Sequence, residues 1–194
     1  MSTFSTKAIA PPSTWQEFEQ ICCDVWAEEL NDPTTQLNGR GGQLQNGVDF
    51  YGRQNQTGSL TGVQCKGKDG RYGSFVEEAE LLREVKKALG FEPPLDHFIL
   101  ATTVPNDAKI QLIARQLSAQ HIKKGLFTVS ILGWDEILQR ISKYDHLVAK
   151  HYKPLSEGTQ ESKDMFQKLF GLHEEILESQ RRIEANHVGP GDVL

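Results

Sequence analysis

The chain has 194 residues, of which 38% are hydrophobic and 24% are charged, and its net charge is −5. This length suits one packed domain with an appendage and is too short for two comfortable domains. No apolar run approaches the roughly 20 residues that span a bilayer, so we expect no membrane partner.

The N-terminus lacks the apolar core of a signal peptide. The three cysteines, Cys22, Cys23 and Cys65, lie in apolar or strand-like runs without metal-ligand spacing. We therefore expect reduced core thiols in a cytoplasmic protein.

The negative charge counts against nucleic acid as a partner, because proteins that neutralise phosphates usually carry a basic footprint. Only residues 61–125 are basic, with 10 basic and 8 acidic side chains, a net charge of +2. Charge alone would therefore not suggest a DNA-binding protein.

The first predicted element is a helix that is capped by Ser13 or Thr14 and ends near Leu30. Its apolar residues recur at helical spacing and predict one buried stripe: Trp15, Phe18, Cys22, Val25 and Trp26. From Thr34 to Lys66 the pattern changes to short strands separated by glycine, in the strings TTQLN, QNGVDFYG and SLTGVQCKG.

The pattern then predicts a helix at 74–90 capped by Ser74, a buried strand at 97–104, a helix at 106–125, a buried strand at 126–133 and a helix from 134. This order predicts an α/β fold with a mixed β-sheet flanked by helices. We expect a domain at 1–153, with its core at about 14–142. Residues 154–194 then form a linker and an amphipathic helix at 161–186, suited to oligomerisation or partner docking.

Glu19 is the first residue with chemical interest, because helical spacing directs it into the apolar stripe. A carboxylate aimed at a core is costly unless something pairs with it. An arginine or a backbone N–H as partner is the plain alternative to a functional role.

Asp49, Gln64 and Lys66 form a second set on two neighbouring predicted strands. Alternation places Val48 and Phe50 on one face and Asp49 on the other, while Gln64 and Lys66 share a face of the next strand. In an antiparallel pair these two polar faces can coincide. Taken singly, Asp49 is explained by a solvated strand and Lys66 by a surface lysine entering a turn.

Together these residues suit phosphodiester hydrolysis. Carboxylates hold a hard divalent cation, which neutralises the scissile phosphate and lowers the pKa of a bound water. An ammonium nearby orients that water and stabilises charge that develops on phosphorus. The backbone carbonyl of Cys65 offers another oxygen ligand.

A helix with an inward Glu, a strand with Gly-x-Asp, a strand with (D/E/Q)-x-Lys and a following helix resemble the PD-(D/E)xK nuclease superfamily. The strings GRGGQLQNGVDFYG, GVQCKG, FILATTVPNDAKIQ and ILGWDEI are similar to endonuclease effector domains of bacterial antiphage systems and their Mrr-type restriction relatives. The resemblance covers about residues 14–142. It implies a restriction-endonuclease-like core that uses Mg²⁺ or Mn²⁺.

The resemblance also implies roles for individual residues. Asp49, Gln64, the Cys65 carbonyl and Glu19 would ligate metal, with Lys66 as the catalytic lysine beside Asp49, Gln64 and Glu19. Gln64 departs from the usual Asp or Glu, although Gln is familiar in the Mrr-like branch. The remaining candidates are nucleic-acid contacts: Gln43, Gln45, Lys68 and Arg71, for which plain loop or turn positions are the alternative.

The sequence thus predicts a metal-dependent endonuclease that cuts duplex DNA with low sequence specificity, as an antiphage effector. Cleavage of both strands calls for a homo-oligomer, and a regulatory or sensor protein is a further expected partner. The alternatives are a junction-resolving nuclease and a nuclease-fold module that binds nucleic acid or scaffolds a complex without cutting. Cys65 as a thiol nucleophile has no histidine or asparagine arrangement to support it.

Overall fold

The computed structural model describes residues 10–39, 43, 45–68 and 75–152. The chain divides into two compact units, the first ending at Lys143 and the second beginning at Tyr144. Of the second unit, the described part contains one helix, α5 (Asp145–His151). The predicted linker and the amphipathic helix at 161–186 lie outside the described residues.

The first unit is built on a five-stranded sheet whose strands stand in chain order. These are β1 (Gln36–Leu37), β2 (Phe50–Arg53), β3 (Leu60–Lys66), β4 (His97–Thr102) and β5 (Thr128–Leu132). The pairs β1–β2 and β2–β3 are antiparallel, whereas β3–β4 and β4–β5 are parallel. The prediction of an α/β fold with a mixed sheet is therefore confirmed.

Helices connect the parallel strands, because parallel neighbours need a long crossover. The helix α2 (Glu78–Ala88) joins β3 to β4, and α3 (Ala108–Ile122) joins β4 to β5. Two further helices, α1 (Trp15–Glu29) and α4 (Trp134–Ile141), precede β1 and follow β5. No helix in the described part of the chain is both long and apolar enough to cross a bilayer.

The helix α1 forms as predicted at its start and over most of its buried face. Thr14 caps it by accepting a hydrogen bond from the Glu17 N–H at 3.2 Å. Four residues of the predicted stripe are buried, but Trp15 is 52% exposed, so its prediction as a core residue was wrong. The reason is position: Trp15 is the first helical residue and lies beside Gly67, just past the end of β3.

The two faces of the sheet carry separate apolar layers. On one face, Phe50 contacts Trp26 of α1 with ring centroids 6.1 Å apart, and Phe18 contacts Trp134 of α4. On the other, Phe98 and Leu100 belong to a buried cluster that includes residues of α2 and α3. The site described below lies between α1 and α2, at the end of β3.

Val48 and Phe50 do not share a face, contrary to the prediction. Val48 belongs to the cluster on the α2 side, whereas Phe50 packs on α1. The reason is that β2 begins only at Phe50, so strand alternation does not extend back to Val48. Asn46 and Gly47, both with positive φ, form the turn that precedes it.

Two other predictions were wrong in part. The helix α2 begins at Glu78 rather than at 74, with Glu77 as its N-cap, and Ser74 lies outside the described residues. The strand β5 is an edge strand in which Ser130 is exposed, so it is less buried than its apolar sequence indicated. The central strand β4 is buried apart from His97 and the partly exposed Ile99, as expected of an interior parallel strand.

Candidate active site

Asp49 lies where β2 and β3 separate. The last paired residues of the ladder are Phe50 and Val63, and the Asp49 N–H still donates to the Val63 carbonyl at 2.8 Å. The next inward N–H of β3, that of Cys65, donates instead to Asp49 Oδ2 at 2.6 Å. The carboxylate therefore replaces a backbone acceptor at the point where the strands diverge, which fixes its position.

Gln64 contacts Asp49 directly, as the predicted shared face requires. Its Nε2 donates to Asp49 Oδ2 at 2.5 Å and to the Cys65 carbonyl at 3.2 Å. Both side chains are buried. The amide nitrogen thus faces the carboxylate, and the amide oxygen is the atom left for another partner.

Lys66 ends β3 and its ammonium meets a carboxylate that the sequence analysis did not predict. Lys66 Nζ lies 3.4 Å from Glu84 Oε1 of α2. Glu84 is only 1% exposed. The signal for it was present, because Leu81, Val85 and Ala88 are buried at helical spacing around it. The helical spacing that directs Glu19 inward therefore also directs Glu84 inward.

Glu19 approaches the same place from α1. It is partly buried, and no other described residue gives its carboxylate a hydrogen bond or an ion pair. Burial and the nearby Asp49 charge raise the pKa of Glu19 to about 7, opposed by the Lys66 charge. The plain alternative of an arginine or backbone partner is therefore not realised among the described residues.

The other two carboxyls are shifted in opposite directions. Burial raises the pKa of Asp49, although the Cys65 N–H and the Lys66 charge oppose this. Burial alone would raise the pKa of Glu84 as well, but the hydrogen bond from Lys87 and the charges of Lys66 and Lys87 hold it below its usual value. Glu84 is therefore a paired anion, whereas Asp49 and Glu19 are carboxyls that lack sufficient positive charge.

The thiol of Cys65 is not suited to nucleophilic attack. Cys22, Cys23 and Cys65 are free and buried, as expected of core thiols. Burial, together with contact with Cys22, raises the pKa of the Cys65 thiol well above its usual value. A thiol nucleophile needs the opposite shift.

The oxygen atoms around Asp49 fit a hard divalent cation in their chemistry. The described residues contain no group of three or more His, Cys, Asp or Glu side chains arranged to hold a metal ion. The candidate set instead combines two carboxylates, Asp49 and Glu19, with the Gln64 amide and the Cys65 carbonyl. Such mixed oxygen donors are those that Mg²⁺ and Mn²⁺ accept. Asp49 Oδ1 and the whole Glu19 carboxylate accept no hydrogen bond from the described chain.

The predicted nucleic-acid contacts are spread over different surroundings. Gln43 is exposed, whereas Gln45 uses its Nε2 to donate to the Asn38 carbonyl at 2.9 Å. Lys68 Nζ pairs with Glu80 Oε2 at 2.7 Å. Arg71 lies outside the described residues. Lys68 is linked to the cluster around Glu84, because its partner Glu80 lies 4.0 Å from Arg83, which also pairs with Glu84.

A scan of protein-family models, a search of curated proteins and a search of solved structures each found no match to the chain.

Proposed function

We propose that the protein is a metal-dependent endonuclease that hydrolyses DNA phosphodiester bonds, with a restriction-endonuclease-like core of the PD-(D/E)xK kind. One observation carries the proposal. Asp49, Gln64 and Lys66 meet at the end of β3, together with a carboxyl, Glu19, that no described residue neutralises. Two carboxylates that lie close together and are partly buried repel each other, and a bound cation would relieve this repulsion.

In this proposal Asp49, Glu19, the Gln64 amide oxygen and the Cys65 carbonyl would hold Mg²⁺ or Mn²⁺. When bound, the ion supplies positive charge to the scissile phosphate and a water of lowered pKa. The Gln64 amide would have to turn over, because its nitrogen now faces Asp49. The amide oxygen would then face the Asp49 carboxylate, and two facing acceptors require added positive charge.

Residues of the chain would then position the reacting phosphate and the Asp49 carboxylate. Lys66 presents its ammonium to the reacting phosphate, where it stabilises the negative charge that develops. Glu84 holds that ammonium from behind at 3.4 Å. The hydrogen bond from the Cys65 N–H to Asp49 Oδ2 keeps the carboxylate aligned with the end of β3. A rigid strand end is a better support for such a site than a loop.

The wider biological role follows the sequence resemblance. We propose an antiphage effector that acts on duplex DNA with little sequence preference. One such site cuts one strand, so cleavage of both strands requires a homo-oligomer. A regulatory or sensor protein is the expected partner that limits cleavage.

A second candidate is a nuclease-fold module that binds nucleic acid without cutting. The orientation of Gln64 favours it, because the amide nitrogen satisfies Asp49 without a metal. The unneutralised Glu19 favours the enzyme, because a binding module gains nothing from that carboxyl. The two functions differ in one measurable property, metal-dependent cleavage.

The test is plasmid cleavage with Mg²⁺ or Mn²⁺ by wild type, Asp49→Asn and Lys66→Ala. Asp49→Asn removes charge but keeps an acceptor for the Cys65 N–H, so the fold should survive. Asp135→Asn and Lys109→Ala serve as matched controls, because both residues are exposed on other helices. We expect wild type and controls to nick or linearise the plasmid and both site variants to lose at least a hundredfold in rate (about 2.7 kcal/mol).

If wild type is inert with both metals, calorimetric titration with Mn²⁺ decides between the two candidates. Binding that Asp49→Asn abolishes would keep the enzyme and point to a missing activator. No binding by the wild type would leave the non-cutting module.

A further inference from the structure

Glu84 is surrounded by more positive charge than it needs. Its Oε1 lies 3.4 Å from Lys66 Nζ, 3.3 Å from Arg83 Nε and 3.1 Å from Lys87 Nζ. Lys87 Nζ also lies 3.1 Å from Oε2. All three nitrogen atoms lie within 3.4 Å of the same oxygen, so they also lie close to one another.

The excess charge persists when the neighbouring ion pair is included. Glu80 pairs with Lys68 at 2.7 Å and lies 4.0 Å from Arg83. Among the described residues, the ion pairs of this network join four cations to two anions, a net charge of +2. Asp49 and Glu19 lie outside these ion pairs, although both interact with the charge of Lys66. One cation would suffice to pair a buried carboxylate, so neutralising Glu84 does not account for the other two.

The additional positive charge is carried by side chains that are exposed to solvent. The Arg83 side chain is 58% exposed and that of Lys87 is 50% exposed, whereas the Glu84 side chain is 2% exposed. The buried anion therefore acts as an anchor that holds two exposed cations next to Lys66. Both stand on α2 at neighbouring positions, so they face solvent as one cationic surface, here called the α2 cationic surface (Arg83 and Lys87).

We propose that the α2 cationic surface binds the phosphates of duplex DNA that flank the scissile one, and that Glu84 aligns this surface with Lys66. This inference rests on the proposed function and adds the path of the substrate across the protein. Arginine and lysine side chains make most protein contacts to DNA phosphates. Each strand of duplex DNA carries one phosphate charge per roughly 3.4 Å of helix axis, so cations grouped around one carboxylate can contact neighbouring phosphates of one strand.

The experiment measures the salt dependence of DNA binding. Fluorescence anisotropy of a fluorescein-labelled duplex is recorded with Ca²⁺ in place of Mg²⁺, over a series of salt concentrations, for the full chain. Each lost phosphate contact lowers the slope of log K against log salt by about 0.9. We expect Arg83→Gln/Lys87→Gln to lose about 2 from that slope and each single variant about half as much.

Two further variants separate contact from general charge and from folding. Lys123→Gln/Lys124→Gln makes the same change of net charge at exposed positions beyond α3 and should keep the wild-type slope. Arg83→Lys/Lys87→Arg retains both charges and should also keep it. Thermal melting of each variant checks that the fold is intact.

The inference is overturned if the α2 double variant and the Lys123/Lys124 control change the slope equally. It is also overturned if the double variant keeps the wild-type slope. In both cases metal-dependent cleavage by the wild type would leave the proposed function standing. A wild type that binds no DNA also overturns this inference, and the proposed function is then decided by the Mn²⁺ titration described above.

Discussion

Replacement of Glu19 by glutamine should stabilise the metal-free protein at neutral and alkaline pH. In the folded protein, burial and the Asp49 charge raise the pKa of Glu19 from 4.5 to about 7. Below the unfolded value both states are protonated and the position costs nothing extra. Between about 4.5 and 7 the folded state retains a proton that the unfolded state has released, so stability falls as pH rises.

The magnitude follows from the same two values. A difference between 4.5 and about 7 corresponds to about 3 kcal/mol against the ionised folded form. Because Glu19 is only partly buried, solvent screening reduces this to about 1–2 kcal/mol. Glutamine has nearly the same shape and carries no charge. Glu19→Gln should therefore raise the free energy of unfolding by about 1–2 kcal/mol at about pH 8 and by much less at about pH 5.

The assay is urea denaturation in EDTA at both pH values, with Glu17→Gln as the control. Glu17 is exposed on the same helix, so its substitution should change the stability little. Addition of Mn²⁺ should reverse the order, because a metal that binds only the folded wild type stabilises it. A Glu19→Gln variant that is less stable than wild type at about pH 8 without metal would refute the reasoning, since it would reveal a favourable partner for the carboxylate.

Three further predictions concern the surroundings of the site. Gln64→Glu places a second carboxylate against Asp49, so it should lower metal-free stability at neutral pH and tighten Mn²⁺ binding by on the order of tenfold in calorimetry. Cys65→Ala should retain cleavage and lose about 1 kcal/mol of stability. Loss of cleavage with the fold intact would make the Cys65 thiol a candidate nucleophile again. Gly52→Ala should destabilise the protein by about 1–3 kcal/mol in urea denaturation, because its Cβ would overlap the Thr35 hydroxyl across the sheet. Wild-type stability of that variant would mean that β1 and β2 pack less closely than described.

The period of the sequence pattern correctly predicted which residues share a face where those residues belong to one helix or strand. The period of two in β3 predicted that Gln64 would share a face with Lys66, and the hydrogen bond from Gln64 to Asp49 confirms the contact across strands. The same rule failed for Val48, because that residue precedes the first residue of β2. Local pattern does not reveal where an element begins.

Burial was harder to predict than element type. Trp15 and the apolar residues of β5 are of the types found in the core, yet Trp15 lies past the end of β3 and β5 is an edge strand. Their exposure depends on which elements stand beside them. Hydrophobicity measures only the tendency of a side chain to be buried, and not whether a neighbour is available.

The type and order of the helices and strands in the first unit, and the common face of Gln64 and Lys66 in β3, could be predicted from sequence. The inward direction of Glu19 could be predicted in the same way. These follow from periods of 2 and 3.6 residues within single elements or adjacent strands. The contact of Glu84 with Lys66, and the position of Arg83 and Lys87 around the same carboxylate, became known from the packing of α2 against β3. A sequence period shows which residues share a face, whereas packing between elements far apart in the chain sets what that face contacts.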